Sequence, residues 1–357
     1  MDEDVVFLKL KVTPDQALKI DAAQFVYEIE KALGTEASKD DTWTSVLLFL
    51  KSMRQASSIL LDKLRHSTKE RLGGIPIITY PSGEFNAWIA KPPSEKGLYI
   101  YFDTRFYRNL VYFLDLNFAS DFGQDEVWKR VFILLMDSAF GLGYPREDAV
   151  CLPEHVGAQH THVRLIFFIL AHEYSHFLLG HLANTGSFIN RDLKFSDQSV
   201  YSSSQKEELE ADKKAIDLLK EAYLGQEAAL FNILLGCATF FTYVNAVKFL
   251  VDYTMRLKGN RPDDTLARHP GPMDRLKRIE KHIKHIMPKH VWIERANDIR
   301  ITMNDLAVLK KRYASKHAKS YLQALAINYV RNESAFREGT KKGWKWEKII
   351  EKRERSL

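Results

Sequence analysis

Residues 165 to 176 of this chain read LIFFILAHEYSH. The first seven are apolar without interruption, which is typical of a helix that is buried on all sides. The last five have the spacing HExxH, which places His172 and His176 about 40° apart around a helix axis. Both imidazoles then leave the same side of the helix and can bind one metal ion, with Glu173 beside them. The stretch therefore predicts a central helix that carries a metal site.

The alternative to a metal site is that both histidines are core residues whose hydrogen bonds are satisfied within the protein. Two imidazoles and a carboxylate are costly to bury unless they bind a metal or form a closed hydrogen-bond network. The metal site has the advantage that it gives Glu173 a role, as the base that acts on water in metal-assisted hydrolysis.

A catalytic metal ion needs a third protein ligand. His181 is near in sequence, and we expect the helix to run from about Thr161 past this residue. On a continuous helix His181 falls about 180° from His172. We therefore expect it to face away from the metal, as a residue that the helix dipole favours near the C-terminal end.

A second helix, which starts near residue 205, offers a better third ligand. Its acidic residues Glu208 and Asp212 fall on the same face as its apolar residues. Two carboxylates four residues apart on a buried face repel each other unless a cation compensates them. We predict that Glu208 binds the metal and that Asp212 accepts a hydrogen bond from a ligand histidine.

Three motifs follow one another along the chain: HEYSHFLLGH at 172–181, ELEAD at 208–212 and HPGPMDR at 269–275. This order resembles the gluzincin peptidases of the CAAX prenyl protease and HtpX type. Among soluble relatives, the chain looks most like the Lit-type phage-exclusion peptidases, over roughly residues 70–285.

The resemblance implies a zinc ion with three protein ligands, His172, His176 and Glu208. It also implies that Glu173 is the general base and that Asp212 supports a ligand histidine. His269 and Arg275 would face the active site and stabilise the developing oxyanion.

The expected fold class is α+β, with a mainly helical zincin-like (minigluzincin) core and a small antiparallel β-sheet before the active-site helix. Strand patterns at 75–80, 85–91 and 98–102 are separated by Pro- and Gly-containing turns and predict a three-stranded meander. We expect a substrate to add to an edge strand, with Leu98 to Phe102 as the candidate.

Three regions are expected along the chain: an N-terminal helical region at 1–70, a gluzincin-like metallopeptidase domain at 71–288 and a basic helical C-terminal region at 289–357. Residues 253–357 contain 26 Lys and Arg against 12 Asp and Glu. Such a region could contact nucleic acid through phosphates. Solvated helical faces are the favoured alternative, because no nucleic-acid motif accompanies the charge.

The chain contains only two cysteines, Cys151 and Cys237, which argues against a disulfide framework and for a reducing compartment. Residues 228–247 carry no charge and are long enough to cross a bilayer. Polar residues such as Asn232 and Asn245 dilute this segment, which favours a buried core helix. We expect a cytoplasmic protein without a membrane partner.

The predicted function is that of a zinc-dependent endopeptidase which hydrolyses protein or peptide substrates. A restricted host-directed protease in phage defence or a toxin system, with an activator protein, is the more specific form of this expectation. The alternative is a catalytically silent zinc-fold module that binds a partner or nucleic acid through the basic C-terminal third.

Overall fold

The computed structural model describes residues 53–75, 77–80, 87–90, 99–118, 131, 134–135, 139, 156–181, 205–259 and 271–341. His269 and most of the N-terminal region 1–70 lie outside these residues.

The described chain is mainly helical. A helical segment at 53–63 comes first. In chain order the helices that follow are α1 (His66–Leu72), α2 (Thr104–Phe118), α3 (Val156–Leu178), α4 (Gln205–Ala222), α5 (Ala229–Leu257), α6 (Pro272–Ile286), α7 (Lys289–Glu294), α8 (Ala296–Ala314) and α9 (Lys316–Lys341).

Three short strands lie between α1 and α2: β1 (Ile77–Tyr80), β2 (Ala87–Ala90) and β3 (Tyr99–Asp103). The expected fold class, α+β with a small antiparallel β-sheet arranged as a meander, is wrong. The described chain is mainly helical, and in its small mixed sheet β3 lies between the other two strands and pairs with β1 in parallel. Only β2 and β3 are antiparallel. Alternation along a strand indicates which face is buried but does not specify the neighbouring strand, so the pattern could not give this order.

Helix α3 forms the centre of the fold, as its apolar sequence predicts. Every residue from Leu165 to His176 is buried, and the helix packs against α2, α4, α5 and β2. Tyr174 points away from the histidine face and shares a 2.6 Å hydrogen bond with the hydroxyl of Ser57 in the segment 53–63. This contact attaches the N-terminal helical segment to the helix that carries the HExxH motif.

Helices α4 and α6 are amphipathic and pack against each other. The buried positions of α6, which include Leu276, Ile279 and Ile283, recur every three or four residues, as one apolar stripe requires. Pro272 at the first turn suits the start of α6, since its missing N–H has no partner there in any case. The packing brings the first turn of α6 next to the acidic residues of α4.

Helix α5 is the one described helix that is long and apolar enough to cross a membrane, with a mean hydropathy of 1.6. It packs against α2, α3, α4, α6, α8 and α9, and 72% of its most apolar 18-residue window is buried inside the protein. This burial agrees with the expectation of a core helix.

The crossing of α5 over α3 depends on Gly236. A Cβ atom there would lie 3.2 Å from the backbone nitrogen of Leu165. We predict that Gly236→Val lowers the free energy of unfolding by about 1–3 kcal/mol, because the helices must move apart. Gly74→Val is the control, since a Cβ at Gly74 meets nothing within 4 Å. Urea denaturation of both variants tests this, and equal effects would contradict the close crossing.

Candidate metal centre

Helix α3 presents two imidazoles to one point, as the HExxH spacing predicts. The Nε2 atoms of His172 and His176 lie 3.1 Å apart, and the two residues are 8% and 3% exposed. The rings are nearly perpendicular, at 84°. Both nitrogens therefore face a single buried position between α3 and α4.

Helix α4 adds a carboxylate to this pair. The two Glu208 oxygens lie 3.5 Å from Nε2 of His172 and 3.5 Å from Nε2 of His176. Zinc binds such ligands at about 2.0–2.2 Å, which places two ligands of a tetrahedral ion about 3.3–3.6 Å apart. The three residues are buried and their ligand atoms all lie within 4.8 Å of one another. This cluster could hold a metal ion.

Asp212 lies one turn beyond Glu208 and contacts the first histidine; its support of a metal ligand stays a prediction. Its Oδ1 is 3.0 Å from Nδ1 of His172. A contact of this kind fixes the ring of a metal ligand and directs the other nitrogen, Nε2, toward the metal.

Arg275, near the start of α6, binds both carboxylates of α4. Its guanidinium donates two hydrogen bonds to Asp212, at 2.8 and 2.7 Å, and lies 2.9 Å from Glu208. The guanidinium also lies over the ring of Phe241, 5.0 Å from its centroid. Arg275 therefore contacts the proposed ligand Glu208 and its neighbour Asp212 directly. Its role toward an oxyanion stays a prediction.

The carboxylates of the site stay ionised despite their burial. Burial alone would raise the pKa of Glu208, but Arg275, His172 and His176 outweigh it and hold this pKa well below its usual value. The pKa of Asp212 is lowered for the same reason, against the same penalty. Two negative charges are therefore available to a cation between α3 and α4.

The two histidines differ in charge in the metal-free protein. Burial lowers the pKa of His172, but the adjacent carboxylates of Asp212 and Glu208 outweigh burial and raise it to about 10. Burial, followed by the nearby charge of His172, lowers the pKa of His176 to about 3. One imidazolium and one neutral imidazole therefore face each other.

We predict that His172 of the metal-free protein keeps both ring protons at pH 8, while His176 and His162 stay neutral at pH 5. His162 serves as an internal reference, since burial alone lowers its pKa to about 3. Because folding raises the pKa of His172, its charge stabilises the protein fully below pH ~6.5, and this stabilisation is lost as the pH rises toward ~10. Histidine ¹⁵N NMR across this range tests the assignment, and a His172 midpoint near 6.5 would contradict it.

We predict that Arg275→Met lowers the free energy of unfolding of the metal-free protein by about 3–5 kcal/mol, because it leaves two buried carboxylates with less compensation. A bound divalent cation should restore part of this loss. The control is Arg278→Met, an exposed position on the same helix, where we expect a change within about 0.5 kcal/mol. Denaturation curves with chelator and with Zn²⁺ measure both effects; equal losses in the two variants would contradict the role of Arg275.

Glu173 follows His172 and is 5% exposed. It is not one of the three residues whose ligand atoms converge, and its charge acts on Arg275. Glu173 is therefore buried next to the ligands without being one of them, and its role as general base stays a prediction.

His181 stays outside the ligand cluster, as expected, but its side chain does not lie where the helix projection predicted. Helix α3 ends at Leu178, and Gly180 has a φ of 73°, the left-handed conformation that often ends helices. The chain turns there, and Nδ1 of His181 comes to lie 3.0 Å from Nδ1 of His176. The expectation that His181 faces away assumed a helix that continues to residue 181. Gly180 was the signal in the sequence that could have corrected it.

No family model, curated protein or solved structure matches this chain. The likeness to gluzincin peptidases therefore depends on the three sequence motifs, and the site has to be interpreted from its own geometry.

Proposed function

We propose that this protein is a zinc-dependent peptidase that hydrolyses amide bonds of protein substrates. The observation that carries the proposal is the buried convergence of His172, His176 and Glu208, with a further carboxylate, Glu173, beside the ligands. Two imidazoles and one carboxylate are a ligand set of catalytic zinc sites, which keep a position open for water or substrate.

When bound, zinc supplies Lewis-acid polarisation of a carbonyl group and activation of water near neutral pH. Glu173 accepts the proton of the attacking water and returns a proton to the leaving amine. Asp212 and Arg275 act on the reaction through the ligands, by holding His172 and Glu208 in place. His269 remains the candidate for stabilising the oxyanion, as the motif resemblance implies.

The substrate strand is proposed to add to β2. The candidate expected from the sequence was Leu98 to Phe102, and its described residues 99–102 lie on β3, which pairs with a strand on each side. Among the described strands, β2 pairs only with β3, and β2 packs against α3. A substrate that extends the sheet at β2 would therefore run beside the helix that carries the metal ligands, bound through main-chain hydrogen bonds.

The proposed setting is the cytoplasm, where a restricted protease would act on a host protein in phage defence or a toxin system. The described part of the chain contains one free cysteine, the buried Cys237, which fits a reducing compartment. An activator protein is the proposed trigger, as the Lit-type resemblance implies.

The test is to separate metal binding from cleavage. Glu173→Gln should retain Zn²⁺, because Glu173 is not a ligand, and should lose cleavage by about 10²–10⁴-fold. Glu208→Gln should lose both, and Glu207→Gln, on the same helix but outside the ligand cluster, should keep both. Metal content of the purified proteins, together with mass spectrometry of new protein N-termini in cells with and without phage, provides the readouts.

Unchanged cleavage by Glu173→Gln would refute the mechanism. The silent-module alternative is favoured by the exposed basic face of α6, which carries Lys277, Arg278, Lys281 and Lys284. A wild type that binds Zn²⁺, cleaves nothing in any of these cells and binds nucleic acid in a salt-dependent manner would support that alternative.

A further inference from the structure

The two ligand histidines of the proposed metal site are supported in different ways. Nδ1 of His172 faces a carboxylate, Asp212, at 3.0 Å. Nδ1 of His176 faces another imidazole instead, with Nδ1 of His181 at 3.0 Å. His181 is itself 7% exposed, so this contact is buried.

The other ring nitrogen of His181 faces a carboxylate. Nε2 of His181 lies 3.4 Å from Oε2 of Glu210, whose side chain is 46% exposed. Glu210 follows Glu208 by two residues on α4. The same turn of α4 therefore carries two residues of the site. Glu208 is the proposed metal ligand, and Glu210 is the last residue in the series of contacts His176–His181–Glu210.

Only one arrangement of ring protons suits a metal ion at this site. A metal on Nε2 of His176 requires that its proton be on Nδ1, which then donates to Nδ1 of His181. His181 must accept at that nitrogen, so its own proton is on Nε2, the nitrogen that lies 3.4 Å from the Glu210 carboxylate. Each contact thus fixes the tautomer of the next ring.

We infer that His181 and Glu210 are positioning residues, which set the tautomer and the orientation of the metal ligand His176. The inference rests on the proposed metal site. It adds His181, at the turn after Gly180, to the residues that hold the metal ligands in place. His181 performs for His176 the function that Asp212 performs for His172. A ligand histidine normally donates its second ring N–H to a carboxylate, a carbonyl or water, and here an imidazole accepts it.

The turn at Gly180 makes this contact possible. Its φ of 73° takes the backbone out of the helical path after α3, and the His181 ring lies against the ring of His176, with 5.1 Å between centroids. A histidine favoured only by the helix dipole would not need to be buried against a ligand.

The primary test is the affinity for Zn²⁺, measured by competition with a chelating indicator and so independent of any cleavage. His181→Ala should weaken Zn²⁺ binding by about 10–100-fold, the usual cost of removing a residue that supports a ligand. His181→Asn should recover part of the loss, because its amide oxygen can still accept a hydrogen bond. Glu210→Ala should weaken binding in the same direction by a smaller factor, since its side chain is half-exposed.

The second readout is the tautomer of His176 in ¹⁵N NMR spectra. In the metal-free protein we expect the wild-type ring to carry the proton on Nδ1. We expect His181→Ala to populate the other tautomer more, because His172, at 3.1 Å from Nε2 of His176, is then the contact that still favours the proton on Nδ1. A role of His181 in packing alone would leave this tautomer unchanged.

A matched control exists on the outer side of α4. Asp217 and His282 form another histidine–carboxylate pair, with Nε2 of His282 2.8 Å from Oδ1 of Asp217, away from the metal ligands. His282→Ala should leave both the Zn²⁺ affinity and the tautomer of His176 unchanged.

Wild-type Zn²⁺ affinity and an unchanged tautomer in His181→Ala would overturn the inference and leave the proposed peptidase intact. If His181→Ala does not fold, Glu210→Ala decides, and wild-type affinity in that variant overturns the inference. A wild-type protein that binds no Zn²⁺ would overturn the proposed function and this inference together.

Discussion

Two carboxylates buried four residues apart on one helix are the constraint on which the rest of this structure depends. Glu208 and Asp212 lie on the buried face of α4, where they would repel each other if left alone. The guanidinium of Arg275 contacts both, and the imidazole of His172 faces both from α3. Helices α3, α4 and α6 therefore meet around one charged cluster. Removing Arg275 from this cluster would leave buried carboxylates uncompensated. That loss destabilises the fold by more than the ion pairs contribute to it.

The cluster is organised to receive a cation. In the metal-free protein a proton on Nε2 of His172 can be donated to Nε2 of His176, at 3.1 Å, the position that a metal ion would otherwise take. The outer contacts, to Asp212 on one side and to His181 on the other, keep the same protons in both states. Metal binding then exchanges a proton for a cation with little rearrangement, which is the advantage of a preformed site.

Periodicity identified four of the residues that converge here. Helix projection placed His172 with His176 and Glu208 with Asp212, because each pair is separated by about one turn of a buried helix. It failed for His181, since a projection is valid only while the helix continues and Gly180 ends it. The order of the strands could not be predicted either, because alternation does not specify partners. The double contact of Arg275 required the packing of α6 on α4, which no local pattern encodes.

A crystal structure with anomalous scattering at the zinc edge tests the central claim most directly. The account predicts one strong anomalous peak bonded to Nε2 of His172, Nε2 of His176 and the carboxylate of Glu208, at about 2.0–2.2 Å from each. It also predicts that Arg275 still contacts Asp212 in the metal-bound protein. A peak at other residues, or well-ordered side chains at these positions with no peak in zinc-containing crystals, would contradict it.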